Sequence, residues 1–106
     1  MEIAQNQNDP SMVALHGRFD ANECDRLDAF VQRMREKGQA DLKLDLSAVS
    51  FVDSSALASL VWLSKWATAN NQRFEVHNPS DSVSVILEIT AIDRALTIRN
   101  TSPVPQ

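Results

Sequence analysis

Asp53, Ser54 and Ser55 stand together in the run FVDSSAL, where an apolar stretch passes into what reads as a long helix. The first backbone N–H groups of a helix lack intrahelical acceptors, and the dipole there favours negative charge. A serine in that turn can be a plain cap, and it can equally carry a phosphate. Ser54 reads as the capping residue. At about 100° per residue, Leu57, Leu60, Val61, Ser64 and Ala67 gather on one helix face, the expected core contact. Ser55, Ser59, Trp62, Trp66 and Ala69 gather on nearly the opposite face. The two tryptophans of the chain therefore fall one turn apart and in line with Ser55. Aromatic residues are enriched at interface hot spots, so this face reads as a docking stripe that begins at a phosphorylatable serine.

Other chemistries find less to work with. Serine hydrolysis would have Ser54 or Ser55, His16 or His77, and Asp20, but the glycines that flank a nucleophile elbow are missing. Gly17 and Gly38 are the only glycines, so neither a P-loop nor a dinucleotide fingerprint can be written. His16 and His77 have no third nitrogen or thiolate nearby in sequence, which argues against zinc. Cys24 is alone, which excludes an internal disulfide framework. Asp45 could be compared with a phosphoacceptor aspartate, but Mg²⁺ would need two further acids at neighbouring strand ends. Gln7, Asn8 and His16 stand there instead. No catalytic residue, metal or cofactor is expected.

The chain has 106 residues, enough for one domain with one core. With 10 basic and 14 acidic residues it carries −4, a poor balance for nucleic acid or an anionic membrane surface. The most apolar stretch, Ala56 to Leu63, is broken by Ser59 and falls short of the ~20 residues of a membrane span. The opening MEIAQNQNDP is polar, with no basic region before an apolar run. Together with the unpaired cysteine, these features lead us to expect a cytoplasmic protein.

The elements that must position the Asp-Ser-Ser run can be read from periodicity. Glu2–Gln7 and Ser11–His16 alternate around Asp9-Pro10 and predict an N-terminal hairpin, with Gly17 ending its second strand. Asn22 is the expected cap of a helix whose apolar face is Cys24, Leu27, Phe30, Val31 and Met34. Arg33, Arg35, Lys37 and then Gly38 mark its end. Asp41–Leu46 alternates as a strand, SAVSF reads as a connector, and the second helix spans about Ser54 to Ala69. Arg73–His77 predicts another strand, Val83–Thr90 a third helix, and Leu96–Ile98 a last short element. The order β-β-α-β-α-β-α predicts a layered α/β domain over residues 1–100, with a mixed, partly parallel sheet. The tail 101–106, with two prolines, is expected to be loose.

Leu44–Val61, LDLSAVSFVDSSALASLV, resembles the strand, connector and Asp-Ser-Ser-Gly helix start of the STAS domain family, the fold of bacterial anti-sigma factor antagonists. GRFDAN at 17–22 is similar to the family's Gly-x-Leu-Asp loop, and HNPSDSVSVILEITAIDRALTI to its asparagine-proline-serine turn, third helix and closing segment. The resemblance covers about residues 11–99. It implies a STAS-type mixed sheet of about four to five strands packed with three to four helices. It also implies a non-enzymatic switch. An anti-sigma factor that is also a serine kinase would phosphorylate Ser55, and a phosphatase would reset it. The unphosphorylated protein would capture the anti-sigma factor and free a sigma factor. Asp20, beside the phosphosite, would help partner contact, together with Asp53, Ser54, Ser55, Ser59, Trp62 and Trp66. The alternative the family offers is a non-enzymatic subunit of a lipid-transporting ATPase or a stress-signalling assembly. Ala56 stands where the family prefers glycine, and its methyl is expected where a kinase backbone must approach.

Overall fold

Leu42, Leu44 and Leu46 are buried and alternate with half-exposed Lys43 and Asp45, as a strand with one face on a core requires. The computed structural model describes residues 1–100, and the expected loose tail at 101–106 lies outside them. The elements are β1 (Glu2–Gln5), β2 (Met12–Phe19), α1 (Ala21–Glu36), β3 (Leu42–Val52), α2 (Ser54–Ala69), β4 (Phe74–His77), α3 (Asp81–Ile89), a 3₁₀ turn (Ile92–Ala95) and β5 (Ile98–Arg99). They build one five-stranded sheet in the order β1-β2-β3-β4-β5. β1 is antiparallel to β2, and every other neighbouring pair is parallel.

Each parallel step is made by a helix, and the inner faces of all three helices share a single core with the sheet. Leu27, Val31 and Met34 of α1, Leu57, Leu60 and Leu63 of α2, and Val83 and Leu87 of α3 join Val13, Leu15, Phe19, Leu44 and Val76. Each fully buried side chain of this size contributes about 1.5–3 kcal/mol. The alternate strand residues His16, Lys43, Asp45 and Glu75 lie on the sheet's other, more polar face.

α2 has the limits read from the sequence, α1 and α3 each begin two residues earlier than expected, and the strands differ in two places. β2 does not stop at Gly17 but continues to Phe19, and SAVSF is the second half of β3 rather than a connector. Ala14 pairs with Asp45 and His16 with Ala48; Gly17 pairs with Val49 and Arg18 with Phe51. β3 thus holds one extra residue at each of two bulges, which breaks the period-2 pattern that marks a strand in sequence. Gly17, with φ of +103°, sits at the second bulge, in a conformation that L side chains rarely adopt.

The two histidines lie on the sheet. His16 is exposed, with Nδ1 3.3 Å from a Glu2 carboxylate oxygen. His77 is buried, with Nε2 2.9 Å from Glu75 Oε1 and Nδ1 without a partner. The hydrogen bond to His77 is the main reason that the Glu75 carboxyl titrates below its ordinary value. Asp45 accepts from the Ser47 N–H at 2.9 Å, a local turn contact inside the strand. Among the described residues no group of three His, Cys, Asp or Glu side chains could hold a metal, and no helix is long and apolar enough to cross a membrane.

A Cβ on Gly17 would come no closer than 3.8 Å to a neighbouring atom, so space is not the constraint there. Gly17→Ala is therefore expected to cost about 1–2 kcal/mol through its backbone conformation alone, read by urea denaturation. Unchanged stability would show that the bulge can relax without glycine.

Candidate functional site

Phe19 and Val52 are register partners at the ends of β2 and β3, and both are buried. The residues that follow them, Asp20 and Asp53, therefore emerge side by side at the same sheet edge, and each begins a helix. Asp20 is the N-cap of α1: its Oδ1 accepts the Asn22 N–H at 3.1 Å. Asp53 is the N-cap of α2: its Oδ1 accepts the Ala56 N–H at 2.9 Å. The other oxygen of Asp53 reaches across to α1 and accepts the Ala21 N–H at 2.9 Å. One carboxylate thus ties together two helix N-termini that are 32 residues apart in sequence.

These geometries correct both expected caps. Asn22 is a donor inside α1 rather than its cap, and Ser54 occupies the first helical position of α2. The physical reason is where the strands end: the parallel pairing runs through Phe19 and Val52, which leaves the next residue to turn the chain. Backbone N–H bonds, that of Ala56 foremost and that of Ala21 after the opposing effect of burial, hold the Asp53 carboxyl below its ordinary value.

Ser54 and Ser55 are both exposed at this corner. Ala56 is not: it is fully buried and its methyl is part of the core, so it does not stand where a partner would approach. Ser59 is half-buried one turn further on. Trp62 is 56% exposed, but Trp66 is half-buried beneath Arg35 of α1, whose guanidinium carbon lies 3.5 Å from its ring centroid. The expected stripe of two open tryptophans is therefore one open indole and one indole capped by a cation. Cys24 donates a weak bond to the Asp20 carbonyl at 3.5 Å, and burial pushes its thiol up.

Two residues at the corner escaped the sequence reading. Arg18 and Phe51 are register partners one position before Phe19 and Val52, so they point away from the core. The Arg18 guanidinium stacks 4.1 Å from the Phe51 ring centroid, and its Nε lies 3.9 Å from Asp20 Oδ2. The signal was available as two strands, each ending in a buried apolar residue followed by aspartate.

A family model described as "Mlab, STAS domain" matches residues 3–99. The anti-sigma-B factor antagonist of Staphylococcus aureus is 28% identical over 80 residues, which are 76% of this chain and 74% of that protein. A solved Thermotoga maritima protein described as an anti-sigma factor antagonist superposes with a TM-score of 0.76 at 22% identity, over 94% of this chain and 86% of that one. The anti-sigma factor antagonist SpoIIAA in its unphosphorylated form gives 0.75 at 15% identity, over 95% and 89%. The likenesses to solved structures establish the fold.

The two aspartates are expected to respond differently to the same substitution. Asparagine caps as well as aspartate, so Asp20→Asn should leave the melting temperature nearly unchanged. At position 53 asparagine keeps one acceptor oxygen and loses the other, so one helix start is left unpaired and the melting temperature should fall by about 4–8 °C. Because the native Asp53 carboxyl titrates below its unfolded value, the unfolded state binds more protons in acid. Its contribution is complete above about pH 4 and lost as pH falls through the native pKa, so Asp53→Asn should flatten the acid limb of stability. Equal melting temperatures for the two variants would refute the bridge.

Proposed function

The chain belongs to the STAS domain family, and on that premise we propose that it is an anti-sigma factor antagonist whose binding is switched by phosphorylation of Ser55. The observation that carries this reading is the corner where two exposed serines follow a helix cap that is already engaged. A kinase can reach the Ser55 hydroxyl, and the buried Ala56 methyl does not obstruct it. The partner is an anti-sigma factor with serine kinase activity, met in the cytoplasm, and a phosphatase resets the site. Asp20, Asp53, Ser54, Ser55, Ser59 and Trp62 form the contact surface, with Trp66 contributing through the Arg35 that covers it.

The switch acts through charge and solvation. Phosphate adds about −1.5 to −2 charges at neutral pH. An empty helix N-terminus would welcome it, but here Asp53 already accepts the Ala56 N–H, and the Leu57 N–H bonds to the Asp53 carbonyl at 3.0 Å. The phosphate therefore stands beside two carboxylates, with the Ala56 and Leu57 N–H groups already taken. In the free domain water solvates it and the fold survives. In an interface it loses that water, at a cost of several kcal/mol, and each ~1.4 kcal/mol is a tenfold loss of affinity.

Incubated with ATP and the histidine-kinase-like anti-sigma factor of the same organism, wild type and Ser54→Ala should be labelled and Ser55→Ala spared. Calorimetry with that partner should show Ser55→Asp weakened by about a hundredfold or more at an unchanged melting temperature. Trp62→Ala should also weaken capture, without any phosphate. Label retained in Ser55→Ala would reassign the acceptor. Absence of label in every variant would favour the subunit role in a transport ATPase.

A further inference from the structure

A groove of about 300 Å³ runs between α1 and α2. Val31 and Leu63, both nearly fully buried, give it an apolar base, and the exposed Trp62 indole stands at its side. Arg35 lines the same groove, half-buried, with its guanidinium held against Trp66. Among the described residues this guanidinium makes no ion pair and no side-chain hydrogen bond, and its Nε is shut off from solvent without a partner. Asp28 lies on the groove too, near enough for its charge and that of Arg35 to act on each other, though the two form no ion pair among the described residues. Burial, more than the neighbouring Asp25, pushes the Asp28 carboxyl up.

An arginine stays charged at any physiological pH and presents a flat fork of donors that matches a carboxylate. Stacking on Trp66 fixes the plane of that fork, so its orientation is set before anything binds. An unpaired, oriented cation beside an apolar base and an open indole defines the occupant: an acid group joined to a flat apolar body. The volume is at the lower end of ligand pockets, which suits one or two fused rings. We propose that the groove between α1 and α2 binds a small organic carboxylate with a flat apolar body, its acid on Arg35 and its ring against Trp62 and Leu63. The groove shares Ser59, Trp62 and Arg35 with the proposed contact surface but does not include Ser55, and the inference does not rest on the antagonist reading.

The test needs only the full chain. Isotope-labelled protein is titrated with 2-naphthoate, with its neutral analogue 2-naphthamide, and with acetate, by two-dimensional NMR. The expected result is 2-naphthoate binding at least fivefold more tightly than either control, with shifts confined to residues around Val31, Arg35, Ser59 and Trp62. Arg35→Gln should abolish the preference for acid over amide. Asp28→Asn, which removes the nearby negative charge, should tighten 2-naphthoate severalfold. Equal affinity for acid and amide, a preference that survives Arg35→Gln, or shifts centred elsewhere would each overturn the proposal. If Arg35→Gln does not fold, Asp28→Asn decides: an unchanged 2-naphthoate affinity overturns it.

Discussion

The Asp53 carboxylate joins two helix starts, and the arrangement of the sheet edge depends on that contact. Parallel pairing through Phe19 and Val52 brings α1 and α2 out of the sheet side by side, with their positive dipole ends together. Each such end is equivalent to roughly +0.5 charge, so two of them repel unless something negative lies between. Asp53 supplies that charge and bonds to both ends at 2.9 Å, while Asp20 supplies a second. The N-terminal spacing of the two helices is set by this bridge. That spacing determines where Ser54 and Ser55 stand, and it sets one end of the groove between α1 and α2.

The same bookkeeping of charge explains what kind of site the corner is. Two helix ends give roughly +1, the two carboxylates −2 and the Arg18 guanidinium beside Asp20 +1, leaving the corner near neutral. A bare helix N-terminus would be an anion-binding site. This one is already neutralised by its own carboxylates. The Ala56 N–H and the Ala21 N–H, the donors a bare start would offer to an outside anion, are both taken by Asp53.

Much of this was legible in the sequence, and what was not has a common cause. The limits of α2, the helical face of α1 and the Asp-Ser-Ser start rest on local periodicity and cap chemistry, and these the chain states openly. The identity of each cap was not legible. Asp20 and Asn22, or Asp53 and Ser54, are near equals as caps, and the choice between them is made by where a parallel strand pairing ends. The second half of β3 was hidden because its bulges change the spacing of buried residues from two to three. Trp66 was misjudged because the residue that covers it, Arg35, belongs to another helix. In each case a contact distant in sequence overrode a local pattern.

Ala56 brings these threads together. Its place in the sequence suggests an obstacle at the surface, where the family prefers glycine. Its place in the structure is the core, fully buried in the first turn of a helix that alanine favours by ~1 kcal/mol over glycine. The Asp53 cap fixes that outcome, because it bonds to the Ala56 N–H and so sets the rotation of the first turn. That rotation sends position 56 inward and positions 54 and 55 outward. Asp53 is thereby committed to the fold, with both oxygens engaged. The side chains the cap leaves exposed around it are the two serines, the Arg18–Phe51 stack beside them, and Trp62 two turns along α2.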